Sequence, residues 1–233
     1  MNWHTGQFCR AAARYYATRQ PVDTDGLRAL WARARLFARL PSLAPPLTEA
    51  ERAIAFAPPG ETIILPHSGG LLLSIEGELL PDFPVTKHVE AIREAKGLIS
   101  VRLNCPGGDL LAAFALHDAL MAAGPSRTEC LVAGSAGSAA TLILAACGTR
   151  RALEGSRLWV HGPSDYVWGR AGDLRDAADQ LDAWLPRMAR VYERCCDPAL
   201  VRQWLTDGGD HFFDAQQAVS VGLATEVVEP LHA

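Results

Sequence analysis

Three residues in this 233-residue chain have the types and the settings that acyl-transfer chemistry needs: Ser138, His161 and Asp210. Ser138 lies in Ala133-Gly134-Ser135-Ala136-Gly137-Ser138-Ala139-Ala140-Thr141, a run of small residues that leads into an apolar segment, 142–146. Small residues let a backbone turn tightly and let another group come close. The first amides of a helix are free to donate, so Ser138 would stand at a helix mouth with N–H groups beside it. A serine hydroxyl becomes a useful nucleophile only with an adjacent base, an orienter for that base and amide donors for the oxyanion. His161 ends a β-type run and precedes Gly162-Pro163; of the seven histidines it alone combines a strand end with a Gly-Pro turn. Asp210 follows Asp207-Gly208-Gly209 and precedes His211-Phe212-Phe213, where a carboxylate could orient an imidazole. Gly107 and Gly108 offer backbone amides that no side chain obstructs. Each residue also has a plainer reading. Ser138 could simply cap a helix, with Ser135 as a competing hydroxyl. His161 could be a satisfied structural histidine, Asp210 an exposed turn residue, and the Gly-Gly pair a tight strand-to-helix turn.

The elements that would hold these residues alternate between strand and helix. Strands are expected at 62–65, 71–75, 98–103, 130–133, 151–153, 157–160 and 224–228. Helices are expected at 86–96, 109–123, 138–147, 171–196, 199–205 and 215–221, with a kink at Pro186. Such alternation indicates an α/β architecture with right-handed crossovers. Before it, residues 1–60 read as a helical N-terminal extension with helices near 5–19, 27–38 and 48–56, and a boundary near residue 60 separates them from a domain over 61–233. Seven arginines against Asp23 and Asp25 make residues 1–40 basic, within a chain whose net charge is −4.

Composition narrows the function classes. Hydrophobic content of 49% and charged content of 21% suit a soluble globular protein, and no apolar run reaches the roughly 18–20 residues of a membrane helix. The N-terminus lacks the basic-then-apolar order of a secretory signal, so a cytoplasmic location is expected. The six cysteines form no C-x-x-C pair and read as reduced, mostly buried thiols, with Cys195-Cys196 inside a helix. No metal and no cofactor are expected. The basic helix carries no aromatic stacking or groove motif, so nucleic acid is not an expected partner. Lysine occurs only at 87 and 96, both before Ser138, which disfavours a Ser–Lys dyad.

Four elements in order resemble the Clp protease proteolytic subunit (ClpP) family, peptidase family S14, and especially its phage head-maturation members. The family's strand–Asn-Ser-Pro-Gly-Gly–helix element corresponds to Asn104-Cys105-Pro106-Gly107-Gly108-Asp109. Its Ala-Ala-Ser element corresponds to Ala136-Gly137-Ser138, and its Met-Ile-His-Gln/Asn-Pro element to Trp159-Val160-His161-Gly162-Pro163. Its acidic element and following Ala-x-x-Ala-x-x-x-Gly-Leu correspond to Asp210 through Leu223. The resemblance covers about residues 71–228.

This resemblance implies a ClpP/crotonase-like fold of ββα superhelix repeats with a protruding handle helix, here 171–196. It implies a serine endopeptidase with Ser138 as nucleophile, His161 as general base and acid, and Asp210 as orienter. Gly108, Gly107 and Ala139 would supply the oxyanion amides. Polypeptide substrates, a ring-type homo-oligomer stacked through the handle and a Clp-type ATPase partner are further implications. Cys105 stands where the family has serine, Gly137 where it has alanine, and Gly162 where it has glutamine or asparagine. Two other functions fit the same outline: a catalytically silent ClpP-like assembly subunit, and a crotonase-type acyl-CoA enzyme, which also uses paired backbone amides.

Overall fold

In a computed structural model, which describes residues 63–67 and 70–229, the expected alternation appears as one eight-stranded sheet with helices packed on it. The N-terminal extension, its helices and the boundary near residue 60 lie outside the described residues. The hairpin β1 (Ile63–His67) and β2 (Gly70–Glu76) opens the sheet. Helix α1 (Val85–Glu94) leads to β3 (Ile99–Cys105), and α2 (Leu110–Ala123) to β4 (Thr128–Gly137). Then follow α3 (Ala139–Ala145), β5 (Thr149–Leu153) and β6 (Arg157–Val160). The chain ends with α4 (Ala171–Tyr192), α5 (Pro198–Thr206), β7 (His211–Asp214), α6 (Ala215–Ser220) and β8 (Glu226–Val228).

The strand order is β1-β2-β3-β4-β5-β8, parallel from β2 onward, with β6 and β7 attached at the far end of β4. One face of the sheet is buried and the other partly covered: Ile99, Val101, Leu103 and Cys105 of β3 point inward and alternate with the half-buried Ser100, Arg102 and Asn104, while every residue of α3 is buried. Asp109 caps α2 by accepting the Ala112 N–H at 2.6 Å, which stops the strand-to-helix turn sharply after Gly107-Gly108.

The feature that positions the site is a change of partner along β4. Its first half pairs with β5 and its last three residues, 135–137, pair with β6. Between them the ladder to β3 slips, with Leu103 opposite Val132 but Cys105 opposite Ala136. Asn104 fills the slip: its Oδ1 accepts the Ser135 N–H and hydroxyl, both at 3.2 Å. Gly134, at φ +128°, is required there because a Cβ would run into that amide group. The strand therefore continues through the glycines that the sequence marks as a turn and ends at Gly137, four residues later than expected, directly before Ser138.

Two more differences concern the C-terminal third. Strand β7, between Gly209 and the last helix, has no counterpart in the sequence reading. Helix α4 carries Pro186 inside it and stops at Tyr192, so Cys195-Cys196 lie in the turn after it rather than within it. The five described cysteines are free and all but Cys195 are buried. In α4 only Met188, Val191 and Tyr192 are buried, whereas the N-terminal half projects into solvent with Leu174 45% exposed.

Candidate active site

Ser138 sits between β4 and α3 at φ 49° and ψ −125°, and it is the one non-glycine residue with positive φ among the described residues. Such a conformation costs on the order of 1–3 kcal/mol and persists only where the surroundings impose it. Its N–H donates to the Trp159 carbonyl at 2.9 Å, and its carbonyl accepts the Thr141 N–H at 3.0 Å and the Thr141 hydroxyl at 2.6 Å. The same Thr141 hydroxyl meets the buried Tyr192 hydroxyl at 2.7 Å, tying the turn to the end of α4. The Ser138 hydroxyl makes no capping bond to α3. A plain N-cap serine would use its oxygen for that purpose, so this hydroxyl is left for another role. Ser135, the competing hydroxyl, is bound to Asn104 and belongs to the wall of the turn.

The Gly-Gly turn comes directly against this serine. A Cβ on Gly107, at φ +112°, would lie 2.7 Å from Ser138 Cβ and 2.8 Å from the Gly137 carbonyl oxygen. Leu79 pins the turn: its N–H donates to the Gly107 carbonyl and its carbonyl accepts the Asp109 N–H, both at 2.7 Å. Gly108, at φ +127°, lies opposite Leu79 so closely that a Cβ would strike the Leu79 carbonyl. The Gly107 N–H faces the Cys105 sulfur at 3.4 Å. Burial pushes the Cys105 thiol up to about 11, so it stays neutral beside the turn. The Gly108 and Ala139 N–H groups have no acceptor among the described residues.

His161 and Asp210 lie at the ends of β6 and β7. Strands β6 and β7 run antiparallel, with Val160 opposite His211 as their last pair, and His161 and Asp210 are the residues that follow and precede that pair. Strand β4 pairs Gly137 with Trp159, which sets Ser138 at the same end. Alternation places Trp159 and His161 on the face opposite the buried Leu158 and Val160. The hydrogen bonds of a triad are not formed: His161 Nδ1 lies 2.6 Å from the Gly162 carbonyl oxygen, which leaves Nε2 as the acceptor nitrogen. Asp210 is exposed. Asp207, three residues earlier, binds the Gly209 N–H and His211 Nε2, each at 3.0 Å, and these bonds hold its carboxyl below the usual range.

Two residues gain roles that their sequence settings do not suggest. The Trp159 indole occupies the space a side chain at 137 would fill, and it faces Phe212 across the ribbon with centroids 6.0 Å apart. Gly162 packs so closely on the Leu205 carbonyl that a Cβ would collide with it. No local pattern signals either contact, since both partners are remote in sequence. Among the described residues no group of three or more His, Cys, Asp or Glu converges as a metal site would, and no helix is long and apolar enough to cross a membrane.

Comparison with known proteins gives this geometry a family. The Clp protease family model matches residues 88–230. The chain is 29% identical over 131 residues to the ATP-dependent Clp protease proteolytic subunit 1 of Rhodopirellula baltica, covering 56% of this chain and 58% of that protein. It is 30% identical over 133 residues to the proteolytic subunit 2 of Chlamydia pneumoniae, covering 56% of this chain and 64% of that protein. The chain belongs to the Clp protease family, and its mostly parallel sheet with packed helices is the α/β architecture of the ClpP type. The match spans less than two thirds of either relative's length.

Proposed function

We propose that this protein is a serine endopeptidase that cleaves polypeptides through an acyl-enzyme. The observation that carries the reading is the Ser138 backbone: positive φ at a strand-to-helix junction, a hydroxyl not spent on capping, and Gly107 packed against it. In this mechanism the Ser138 Oγ attacks the scissile carbonyl carbon while His161 Nε2 takes its proton. The Gly108 and Ala139 amides, with Gly107 shaping and supporting the turn, donate to the developing oxyanion. His161 then gives the proton to the departing amine, and water, activated by the same nitrogen, releases the acid product. Asp210 holds the imidazole once the His161 Nδ1–H swings from the Gly162 carbonyl to its carboxylate. Oxyanion donors of this kind are each worth about 3–4 kcal/mol in the transition state, and proton transfer adds about 10²–10⁴-fold.

The exposed half of α4 supports assembly into a homo-oligomer through this helix, and the words "ATP-dependent" and "subunit" in the relatives' names support an ATPase partner; a cytoplasmic location is part of the same proposal. The bond from His161 to Gly162 favours one second reading, an assembly subunit that does not turn over by itself. A fluorogenic peptide assay of wild type and Ser138→Ala, with light scattering on both, separates these. Endopeptidase function predicts that the variant loses hydrolysis while keeping the wild-type oligomer. Equal cleavage by both proteins would overturn the nucleophile assignment, and a monomeric wild type would overturn the assembly reading.

A further inference from the structure

Behind Ser138 runs a chain of hydroxyls that the mechanism above does not use. Thr141, in the first turn of α3, donates its hydroxyl to the Ser138 carbonyl oxygen at 2.6 Å. That proton is committed, and the Thr141 oxygen keeps a lone pair for the Tyr192 O–H, 2.7 Å away. The direction of the chain follows: Tyr192 donates to Thr141, and Thr141 donates to Ser138. Both residues are fully buried. Burial pushes the Tyr192 phenol up, so it stays a neutral donor at ordinary pH. Tyr192 is itself held in place, because its carbonyl accepts the Cys195 and Cys196 N–H groups at 3.0 and 2.9 Å.

Peptide geometry gives this chain a consequence. The Ser138 C=O and the Ala139 N–H belong to one planar, trans peptide unit and point in opposite directions. Pinning the carbonyl oxygen therefore aims the N–H. The oxygen is pinned twice, by the Thr141 hydroxyl and by the Thr141 N–H at 3.0 Å. Hydrogen bonds in a chain also polarise one another in a low-dielectric interior. Electron density drawn toward the Ser138 oxygen leaves the Ala139 N–H a stronger donor. The Ala139 nitrogen lies 3.1 Å from the place a Gly107 Cβ would take, so glycine at 107 keeps the space beside it open.

We infer that Tyr192 and Thr141 are positioning residues for catalysis: acting through the Ser138–Ala139 peptide, they aim and strengthen the Ala139 N–H as an oxyanion donor. The inference rests on the serine endopeptidase reading above. Their effect falls on the transition state, where the oxyanion forms, and not on substrate binding, so it is read in kcat rather than KM.

Steady-state peptide hydrolysis by variants of the full chain tests this, with thermal melting alongside. The double variant Thr141→Val/Tyr192→Phe removes both hydroxyls together and leaves no buried hydroxyl unpaired, so it should melt close to wild type. Its kcat should fall about tenfold, short of the roughly 10²–10³-fold that loss of a whole oxyanion donor costs, with KM unchanged. Tyr192→Phe alone keeps the ring and should lose a smaller part of kcat. Thr141→Ser, which returns the hydroxyl, should recover most of the kcat lost in Thr141→Val. A double variant with wild-type kcat, a loss carried by KM, or Thr141→Ser as slow as Thr141→Val would overturn the proposal and leave the peptidase reading standing. A wild type that hydrolyses no peptide would overturn that reading, and this proposal with it.

Discussion

The Trp159 indole lies over Gly137, on the residue immediately before Ser138, so closely that no side chain fits at 137. The two positions are coupled across the β4–β6 ladder. Gly137 stands where the resemblance to the family implies alanine and Trp159 where it implies methionine, so the smaller residue sits against the larger one.

Gly137→Ala should therefore displace the indole, and with it the Trp159 carbonyl that holds the Ser138 N–H. The expected cost is about 1–3 kcal/mol of stability from overpacking, with a larger proportional loss of peptide hydrolysis. Adding Trp159→Met should restore both, because the methionine leaves room for the new methyl group. Denaturant unfolding and a peptide assay on the single and double variants check this. Additive losses in the double variant would show that the two residues are not coupled.

Continued one step beyond Val160 and His211, the β6–β7 register would bring Asp210, not Asp207, across from His161. Asp207 is already occupied by Gly209 and His211. Asp210→Asn should lower kcat steeply, up to about 10⁴-fold, with little change in KM. Asp207→Asn should loosen the turn and leave kcat within a small factor of wild type. Steady-state kinetics on the two variants decide between them, and the reverse order would assign orientation to Asp207.

Much of this site is legible in the sequence because its parts are local signals. Pro106-Gly107-Gly108 before a helix, the small-residue run up to Ser138, and His161 before Gly-Pro each report their own backbone. What is not legible depends on remote partners. Strand β7 is four residues long and follows Asp-Gly-Gly-Asp, so it reads as part of a turn; pairing with β6 makes it a strand. The end of β4 contains Gly134 and Gly137, and it stays extended because β6 pairs with 135–137 on one side while Cys105 of β3 lies opposite Ala136 on the other. Gly162 is explained by Leu205 and Gly137 by Trp159, each far along the chain. The hydrophobic pattern of 171–196 continues past Tyr192, yet the helix ends there because Cys195 and Cys196 turn under Gly222, where a Cβ would strike the Cys195 carbonyl.

That turn has a chemical consequence. The Cys196 thiol lies 3.7 Å from the Cys195 sulfur, and its hydrogen bond brings the Cys195 thiol down to about 7, with Arg150 and Arg194 adding to the effect. The lowered value means that thiolate is present at neutral pH and is lost as pH falls below about 7. Iodoacetamide labelling of the native protein should modify Cys195 first, with a rate that rises through a midpoint near 7. Cys105 and Cys130, whose thiols burial pushes up, should stay unmodified under the same conditions. Cys196→Ala should move the Cys195 midpoint upward. Peptide mapping by mass spectrometry reads all three outcomes, and an unshifted midpoint in the variant would rule out the thiol pair as the cause.

If Ser138 is the nucleophile, the strained turn at 138 presents an activated oxygen and a neighbouring amide to one carbonyl. A fluorophosphonate, which phosphonylates an activated serine and mimics the tetrahedral intermediate, tests it most directly. Intact-mass and peptide-map analysis of the treated full chain should show a single adduct on Ser138, lost in His161→Ala. An adduct on Ser135, or no adduct on the wild-type protein, would rule out Ser138 as the nucleophile.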